Sequence, residues 1–457
     1  MSRLKIFTTK EIAEVTGGEL VGSDVEVSGV STDTRTIEKG ALFVAVKGER
    51  FDGNDYIEQA AQSGAAAAIS DRAAGSVAAD IPVIYVGDSR AAQLKLARYH
   101  RDKLSVKLCG VTGSVGKTST KDMIYAVLAA KFTTLKTEGN FNNDIGLPRT
   151  LFGLNEAHGA AVIEMGMSDL GEISVLSEAA HPECAVITNI GWCHIENLKT
   201  RENILKAKLE ILDGMESGSP LIVCGDDEYL GRLTAEQTGS HRLVKYGLNG
   251  ENDVFASDIM HIECGEEFLL HYNGKSYKAC VPAVGEHHIL NALAAFAVGV
   301  EFGMSAEETV PAFMNYKSSG MRQRIEKRGD ITVILDCYNA SPTSMKSALS
   351  VLSTMNGRKI AVLGDMLELG EQSEQLHAGI AEYSDFADVF YLYGHEMSAL
   401  RDELTKKGVP VTHSEDKEAL TKALSENIKS GDVILFKGSR GMKMEEIAEK
   451  ITNGWSL

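Results

Sequence analysis

Short apolar runs alternate along the whole chain with longer stretches of helical spacing. Apolar runs bounded by Gly, Pro or Asn are typical of buried strands, and apolar positions three or four residues apart are typical of helices. The predicted strands are 25–30, 41–46, 83–86, 107–111, 160–164, 184–188, 220–224, 331–335, 359–363, 389–392 and 432–436, and the predicted helices are 56–64, 89–103, 118–131, 202–212 and 288–302. This alternation predicts an α/β fold, in which mostly parallel sheets are covered by helices.

The alternation falls into three series, which predicts three domains. Residues 1–100 form a small α/β domain, residues 101–316 a central domain with a mostly parallel sheet, and residues 317–457 a further α/β domain. A chain of 457 residues is long enough for this number of domains.

Composition narrows the class of partner. The chain has 46 Lys and Arg against 64 Asp and Glu, a formal net charge of −18. Nucleic acids and anionic membranes bind basic surfaces, so we expect neither as a partner. The 7 cysteines form no C-x-x-C pair, which favours reduced core thiols over a disulfide framework or a zinc site. The N-terminus lacks the apolar core of a signal peptide and no run is long enough to span a membrane, so a soluble cytoplasmic protein is expected.

The stretch 110–120, Gly-Val-Thr-Gly-Ser-Val-Gly-Lys-Thr-Ser-Thr, joins a predicted strand to a predicted helix. Backbone N–H groups in such a turn converge on phosphate oxygens, and the helix N-terminus adds positive potential. Lys117 can reach the β- and γ-phosphates, and the Thr118 hydroxyl can ligate magnesium. The position five before Gly116 is Val111, where the common phosphate-binding loop has glycine. The turn alone does not separate ATPase, GTPase, kinase and ligase, but the chain has no N-K-x-D tetrapeptide for guanine, which favours an adenine nucleotide.

Two predicted strands of the same sheet lead into possible metal ligands. Ligands of a parallel sheet lie at the carboxyl ends of its strands. Glu164 ends the strand 160–164 and is therefore placed to bind magnesium, with a buried, paired carboxylate as the alternative. His194 lies just beyond the strand 184–188, where a metal or phosphate contact and a packing role are equally favoured. Lys208 lies on the helix 202–212, where its spacing is that of a surface charge.

Taken together, these residues resemble the Mur ligases, the ATP-dependent amide-bond-forming enzymes of peptidoglycan synthesis. The resemblance covers essentially the whole chain, and its central motifs are 112–118 (T-G-S-V-G-K-T), 137–143 (T-E-G-N-F-N-N), 164–166 (E-M-G) and 188–191 (T-N-I-G), followed by His194 and Lys208. The segments 336–345 (D-C-Y-N-A-S-P-T-S-M), 363–370 (L-G-D-M-L-E-L-G) and 437–442 (K-G-S-R-G-M) are most similar to the members that add D-alanyl-D-alanine.

The resemblance implies a reaction and its ligands. Residues 1–100 would bind a UDP-sugar, residues 101–316 would form a P-loop ATPase-like domain, and residues 317–457 would form a Rossmann-like domain that binds D-alanyl-D-alanine and closes over ATP. The enzyme would add D-alanyl-D-alanine to UDP-N-acetylmuramoyl-tripeptide through an acyl phosphate, as a monomer, with ATP and two Mg²⁺ ions. Lys208 would be carbamylated, because a protonated lysine has no lone pair for a metal.

The resemblance also implies roles for individual residues. The phosphate-binding turn comprises Gly113, Ser114, Val115, Gly116, Lys117, Thr118 and Ser119. The metal ligands are Thr118, Glu164, His194 and Lys208, and the catalytic residues are Lys117, Glu164, His194 and Lys208. Adenine and ribose are assigned to His287, Asn291, Asp336 and Tyr338, and the γ-phosphate to Arg322, with Arg324 as the alternative. The UDP-sugar is assigned to Ser31, Asp33, Arg35, Phe43, Gly48, Asp52 and Gly53, the muramoyl-peptide to Asn142 and Asn143, and the dipeptide to Asn339, Ser341, Pro342 and Thr343.

Structural roles compete with several of these assignments. A helix N-terminal turn accounts for His287 and Asn291, an ion pair with Glu326 accounts for Arg322, and turn formation accounts for the first-domain residues. Two other functions stay open: a ligase of the same chemistry with another acceptor, as in folate polyglutamylation, and a nucleotide-binding switch without catalysis. The sequence does not distinguish lysine from diaminopimelate in the tripeptide.

Overall fold

The structure, a computed structural model, describes residues 6–48, 51–77, 79–262 and 265–453. Cys264 lies outside this part of the chain, as do Glu49 and Arg50 of the predicted UDP-sugar segment. Within the described ranges, no helix is long and apolar enough to cross a bilayer.

The first sheet spans residues 19–85. The strands described in this part are β1 (Phe7–Thr8), β2 (Glu19–Val21), β3 (Glu26–Val27), β4 (Val30–Ser31), β5 (Leu42–Val44), β6 (Ala67–Ser70) and β7 (Val83–Tyr85), and the helices are α1 (Thr9–Thr16), α2 (Ile57–Gln62) and α3 (Ser89–Asp102). The sheet order is β2-β7-β6-β5-β4, and β1 pairs with β3 apart from it. The prediction of one strand over 25–30 is wrong, because Ser28 N–H bonds Gly40 O and Gly29 O accepts from Leu42 N–H, which turns the chain from one pair to the other.

A larger, mostly parallel sheet forms the centre of the molecule. Its described strands are β8 (Lys107–Thr112), β9 (Thr134–Lys136), β10 (Ala160–Glu164), β11 (Cys184–Ile187), β12 (Pro220–Cys224), β13 (Arg242–Gly247), β14 (Val254–Ile262), β15 (Gly265–Tyr272) and β16 (Lys275–Val281). Its described helices are α4 (Lys117–Leu128), α5 (Gly146–Leu151), α6 (Glu172–Ala180), α7 (Ile195–Leu198), α8 (Arg201–Leu209), α9 (Ala235–Thr238), α10 (Glu286–Glu301) and α11 (Ala306–Ala312). The antiparallel edge β14-β15-β16 was not predicted; β14 is exposed over much of its length, so no continuous apolar run marks it.

The order of the strands in the central sheet determines where its ligand site lies. The order is β16-β15-β14-β13-β12-β11-β8-β10-β9, so β8 lies between β10 on one side and β11 on the other. After β8 the chain builds β9 and β10 on one side and then crosses to β11. The carboxyl end of β8 is therefore the point at which the strand order reverses, where open α/β sheets bind their ligands. Val111, Ile163 and Val186 are fully buried in these three strands and fix their register.

The last sheet has the order β17-β18-β22-β19-β20-β21 and is parallel except for β17. Its described strands are β17 (Arg324–Arg328), β18 (Ile331–Asp336), β19 (Lys359–Gly364), β20 (Val389–Tyr393), β21 (Val411–Ser414) and β22 (Val433–Lys437), with helices α12 (Pro342–Thr354), α13 (Ser373–Gly379), α14 (Met397–Lys406), α15 (Lys417–Ser425) and α16 (Glu445–Asn453). The predicted α/β class with parallel-dominated sheets is confirmed. The assignment of one ligand to each of three domains stays a prediction.

Candidate active site

A cavity of about 780 Å³ opens at the carboxyl end of β8, and the central and last sheets both supply its walls. The predicted residues that line it are Ser114, Val115, Gly116, Lys117, Thr118, Ser119, Asn142, Asn143, Glu164, His194, His287, Asn291, Arg322, Asp336, Tyr338, Asn339, Ser341 and Thr343. Gly113, Lys208 and Pro342 are not among the lining residues. The fold therefore gathers residues from positions 114 to 343 around one space.

The glycine-rich turn requires glycine at two positions for different reasons. Gly113 has φ +145, and a Cβ there would lie 2.0 Å from Thr188 Oγ1. Thr188, just after the end of β11, therefore occupies the space that a side chain at position 113 would need. Gly116 has φ +84 and forms the N-terminal boundary of α4. The Lys117 ammonium donates to Gly113 O at 2.8 Å, which holds the cation across the turn. The turn thus combines the free N–H groups of a helix N-terminus with a fixed positive charge, an arrangement that suits phosphate.

Residues that follow β11 brace this turn, a role that the sequence did not predict for them. Thr188 Oγ1 donates to Val115 O at 2.6 Å and Asn189 Nδ2 to the same oxygen at 2.8 Å. Asn189 Oδ1 accepts from Val115 N–H at 3.0 Å. Side chains on a neighbouring strand end therefore satisfy the polar groups of Val115 and leave the turn little freedom.

Glu164 ends β10 beneath the turn and is buried. Its Oε2 accepts from Thr118 Oγ1 at 2.8 Å and its Oε1 from Asn142 Nδ2 at 2.8 Å. Lys121 Nζ, itself buried, lies 3.9 Å from Oε2. Both interpretations of Glu164 are therefore compatible with the geometry, since the carboxylate is paired and also lies at a strand end beside a hydroxyl.

Lys208, on α8, is only 1 % exposed. The prediction of a surface charge from spacing alone is therefore wrong. Burial, followed by the nearby Lys117 ammonium, holds the pKa of the Lys208 amine well below its ordinary value. Burial therefore disfavours the protonated form of this amine.

His194 follows β11 in a left-handed conformation, with φ +59, and lines the cavity. Its Nδ1 lies 2.8 Å from Oε2 of Glu368, which belongs to the segment after β19 in the last sheet. This hydrogen bond lowers the pKa of the Glu368 carboxyl. The sequence placed Glu368 in a family motif and gave it no role, because nothing local connects positions 194 and 368.

Gln323 joins the start of α10 to the last sheet and was also given no role. Its Nε2 donates to Val284 O at 2.6 Å, which leaves Oε1 facing His287 Nε2 at 2.6 Å and His288 Nε2 at 3.0 Å. Because an amide oxygen only accepts, both histidines carry their proton on Nε2. Burial lowers the pKa of both rings and keeps them neutral.

Asn291 lies one turn further along α10, under the glycine-rich turn. Its Oδ1 accepts from Thr120 Oγ1 at 2.8 Å, and its Nδ2 is buried without a partner among the described residues. Asn291 therefore ties α10 to α4 and retains an unused donor beside the cavity.

The two candidate arginines have different surroundings. The Arg322 guanidinium stacks on the Tyr338 ring, with its central carbon 3.8 Å from the ring centroid, and lines the cavity. Arg324 pairs with Glu326 on β17 and does not line the cavity. The ion pair with Glu326 that competed for Arg322 is thus made by Arg324, and Arg322 is the arginine that faces the ligand space.

Two register partners form an ion pair at the ends of β18 and β22, in which Lys437 is buried and Asp336 is partly exposed. Asp336 lies opposite Lys437, and Lys437 Nζ donates to Asp336 Oδ2 at 2.6 Å and to Asn339 O at 3.0 Å. Asp336 Oδ1 accepts from Gln323 N–H at 3.3 Å. Both carboxylate oxygens are therefore engaged within the protein.

The loop after β18 faces the central sheet. Ser341 is the N-cap of α12, where its side chain accepts from Ser344 N–H and Pro342 takes the first helical position. A Cβ at Gly191 would lie 3.5 Å from Thr343 Oγ1, so the loop that follows β11 approaches α12 closely. Hydroxyl groups of the last sheet thus lie next to the phosphate-binding turn.

Comparison with known proteins identifies this arrangement. Family models match residues 26–101 (Mur ligase family, catalytic domain), 111–299 (Mur ligase middle domain) and 322–440 (Mur ligase, glutamate ligase domain). UDP-N-acetylmuramoyl-tripeptide–D-alanyl-D-alanine ligase of Bacillus subtilis is 41 % identical, over 97 % of this chain and 98 % of its own. The chain belongs to the Mur ligase family. The resemblance seen in the sequence is confirmed.

Solved structures of Mur ligases share the whole fold. The crystal structure of MurF from Acinetobacter baumannii superposes with a TM-score of 0.92, at 32 % identity, and covers 99 % of this chain and 100 % of its own. MurF from Thermotoga maritima, whose structure is a complex with ADP, has a TM-score of 0.83 at 29 % identity, over 93 % of this chain and 97 % of its own.

A second, smaller cavity of about 230 Å³ lies between the first sheet and helix α5 of this Mur ligase. Ser31 and Asp33 line it, together with Gln93 of α3 and Arg149 of α5, which the sequence did not single out. Arg35 pairs with Asp33 through two hydrogen bonds of 2.9 and 2.7 Å. This pair holds the pKa of the Asp33 carboxyl at about 2.

The other first-domain candidates do not reach that cavity. Phe43 is buried in the core against α2, and Gly53 packs so tightly on Val46 that a Cβ would lie 2.5 Å from its carbonyl oxygen. Gly48 packs beneath the Phe51 ring in the same way. Asp52 caps the turn at residue 53, where it accepts from Asn54 N–H at 2.9 Å and Asn54 Nδ2 at 2.7 Å. Phe43 thus serves the core of the first sheet, and Gly48, Asp52 and Gly53 serve the fold of the loop that follows β5.

Proposed function

We propose that this protein is an ATP-dependent ligase that adds D-alanyl-D-alanine to UDP-N-acetylmuramoyl-tripeptide. One observation carries the proposal: a phosphate-binding turn, a buried carboxylate and the hydroxyl-lined loop of the last sheet surround a single cavity. The cavity has room for a nucleotide and the ends of two further substrates, since ligand cavities of this size enclose molecules larger than a nucleoside. The relatives that carry this ligase name support it along the whole chain.

The reaction follows from the groups that the cavity brings together. A carboxylate oxygen of the tripeptide bonds to the γ-phosphorus of ATP as the bond to ADP breaks, which gives an acyl phosphate. The amine of D-alanyl-D-alanine then attacks the acyl carbon, the amine loses a proton, and phosphate leaves. Lys117 and the N-terminus of α4 hold the phosphates, and Arg322 faces them from the last sheet. Such transfer depends chiefly on positioning and on charge neutralisation.

The side chains around Glu164 fit a magnesium ion that is bound partly by protein oxygens and partly by phosphate oxygens. Thr118 Oγ1 and Glu164 Oε2 are hard oxygen donors 2.8 Å apart. The described residues contain no group of three or more His, Cys, Asp and Glu that could hold a metal unaided. Mg²⁺ commonly takes one or two protein oxygens and completes its shell with water and substrate phosphates. Bound Mg²⁺ would neutralise phosphate charge, with Thr118 and Glu164 as its protein ligands.

A second Mg²⁺ ion could use Lys208 as a ligand only after chemical modification of its amine. We assign His194 and Lys208 to this ion, with Lys208 as a carbamate. In its unprotonated form, which burial favours, the Lys208 amine can attack carbon dioxide and lose a proton, which converts it into an anion with two oxygen donors.

The remaining assignments place the substrates around the turn. We assign adenine and ribose to the side formed by His287, Asn291, Asp336 and Tyr338, and the dipeptide to Asn339, Ser341 and Thr343. Asn142 and Asn143 face the peptide of the acyl substrate. The second cavity, with Ser31 and Asp33, takes the uridine diphosphate end, and Arg149 would supply positive charge there.

Acceptor-dependent ADP release tests the function. Turnover that requires both the tripeptide nucleotide and D-alanyl-D-alanine supports it, and ADP release that depends on glutamate with a folate contradicts it. Oxygen-18 in the tripeptide carboxylate should appear in the released phosphate. Coupling without transfer of the isotope contradicts the acyl phosphate.

A further inference from the structure

Glu368 and His194 meet across the boundary between the last and central sheets. Glu368 Oε2 lies 2.8 Å from His194 Nδ1. The main chain supports this contact, since Glu196 N–H points to Glu368 O at 3.4 Å. Gly370 packs against Glu196 so closely that a Cβ on Gly370 would lie 3.3 Å from the Glu196 Cα. Two backbone segments, rather than one extended side chain, therefore bring the carboxylate to the ring.

The backbone on both sides is held in place. His194 and Glu368 have φ values of +59 and +64, a left-handed conformation that non-glycine residues adopt rarely. The segment before Glu368 is fastened to its own sheet, since Leu367 N–H donates to Ser439 Oγ at 2.9 Å and Met366 N–H to His377 Nε2 at 2.9 Å. Residues in such conformations persist where the surroundings determine them, and they cluster at functional sites.

The contact decides which nitrogen of His194 can bind a ligand. A neutral imidazole that donates its Nδ1–H to a carboxylate carries its lone pair on Nε2. A carboxylate bound in this way orients a metal-ligating histidine and raises its basicity, and its loss typically weakens the metal about 10- to 100-fold. Glu368 is 60 % exposed, so its pairing with His194 adds little to stability and is not needed for folding.

We propose that Glu368 is a positioning residue that presents His194 Nε2 to the second Mg²⁺ ion, an inference that rests on the metal role given to His194 in the proposed function. Glu368 belongs to the last sheet and His194 to the central one. The second ion therefore binds tightly only while the two sheets are in contact, which couples closure of the last sheet to completion of the metal site. Glu368 itself takes no part in bond making.

Titration with Mn²⁺ in the presence of ADP and bicarbonate tests the proposal without relying on turnover. Free Mn²⁺ is followed by electron paramagnetic resonance in the wild type and in Glu368→Ala, Glu368→Gln, His194→Ala and Glu371→Ala. Glu371 is an exposed carboxylate three residues away and serves as the matched control. We expect Glu368→Ala to weaken the second Mn²⁺ about 10- to 100-fold and to leave the first unchanged. Glu368→Gln, which keeps an oxygen acceptor for Nδ1–H, should restore most of the affinity, and Glu371→Ala should match the wild type.

Two results would overturn the inference, and they differ in meaning. Loss of the second Mn²⁺ in His194→Ala but not in Glu368→Ala refutes the positioning role and leaves the proposed metal site intact. Unchanged binding of both ions in His194→Ala and Glu368→Ala removes the metal assignment of His194, and the inference with it. Small-angle scattering of the ADP and Mn²⁺ complex adds a second measure: Glu368→Ala should be more extended than Glu371→Ala, and equal dimensions contradict the coupling to closure.

Discussion

Asp336 and Lys437 are register partners on the parallel strands β18 and β22, and their charged groups lie 2.6 Å apart beside the nucleotide side of the cavity. Lys437 is almost fully buried, so the pair is shielded from solvent on one side. The pairing follows from strand register alone, and it links the ribose-side carboxylate to the core of the last sheet.

Removal of one partner of the Asp336–Lys437 pair should lower the unfolding free energy of the last sheet. Lys437→Met leaves the Asp336 carboxylate without its counter-charge, and loss of one member of a buried pair costs about 3 kcal/mol or more. We expect the last sheet to lose about that much unfolding free energy in urea. The matched control is Lys406→Met, at an exposed pair with Glu403, where solvent screens the charges and the unfolding free energy should change little. Equal effects of the two variants would contradict a special role for the register pair.

Gln323 should determine the protonation of two histidines. Gln323→Met removes the acceptor shared by His287 and His288 and the donor to Val284 O, so that buried polar groups lose their partners. The cost should be about 1–3 kcal/mol of stability. The KM for ATP should rise at least about 10-fold, because the proposed function places adenine beside these rings. Nitrogen-15 spectra of labelled histidines should show Nε2–H forms only in the wild type. Gln59→Met, on the exposed face of α2, is the control.

Gly113 should be intolerant of any side chain. Gly113→Ala places a Cβ 2.0 Å from Thr188 Oγ1 and adds the strain of φ +145. We expect the brace on the turn to break and ATP affinity to fall at least about 100-fold, with the central sheet still folded. Gly218→Ala has a positive φ of +88 and open space around its Cβ, so it isolates backbone strain of about 1–3 kcal/mol from the clash. Calorimetric titration measures the ATP affinity of both variants. Similar affinities of Gly113→Ala and Gly218→Ala would show that the turn relaxes around the added Cβ, which contradicts the prediction.

Lys208 should be essential through its carbamate. Lys208→Ala should lose activity, and bicarbonate with a short carboxylic acid should restore part of it by supplying oxygen donors in the space left behind. Lys206→Ala, two residues earlier on the same helix, should be nearly silent. Native mass spectrometry should find 44 Da, about the mass of carbon dioxide, on the wild type and not on Lys208→Ala. Full activity of Lys208→Ala would end the assignment.

Asp52 should make the first sheet sensitive to acid. Its hydrogen bonds, chiefly from the Asn54 side chain, hold the pKa of its carboxyl at about 2, against an ordinary 3.8. A lowered folded-state pKa stabilises above the ordinary value, and that stabilisation disappears as the pH falls through the folded-state value. Asp52→Asn should therefore be less stable than the wild type at neutral pH, and the difference should vanish between about pH 4 and pH 2. Hydrogen exchange of residues 53–62 follows this, with the exposed Asp80→Asn as the control; a difference that is constant with pH would contradict it.

The sequence by itself determined what depends on neighbours along the chain. The strand–turn–helix around Lys117 and the carboxylate at the end of β10 follow from apolar runs and glycine spacing, because both are local in origin. The same patterns predicted the α/β class and the long buried strands at the centre of each sheet, such as β8, β10, β11, β19 and β22, but not shorter or edge strands such as β2, β9, β17 and β21. They missed the antiparallel edge β14-β15-β16, where half-exposed strands lack continuous apolar runs.

Only the tertiary structure decided which distant residues meet. It buried Lys208, which helical spacing had left on the surface, and it turned Arg322 rather than Arg324 to the cavity. It also joined Glu368 to His194 and placed Gln323 between two histidines and a carbonyl. None of these contacts has a sequence signal, because each depends on how separate sheets pack, and the free energy of packing is shared among many residues rather than encoded in a motif.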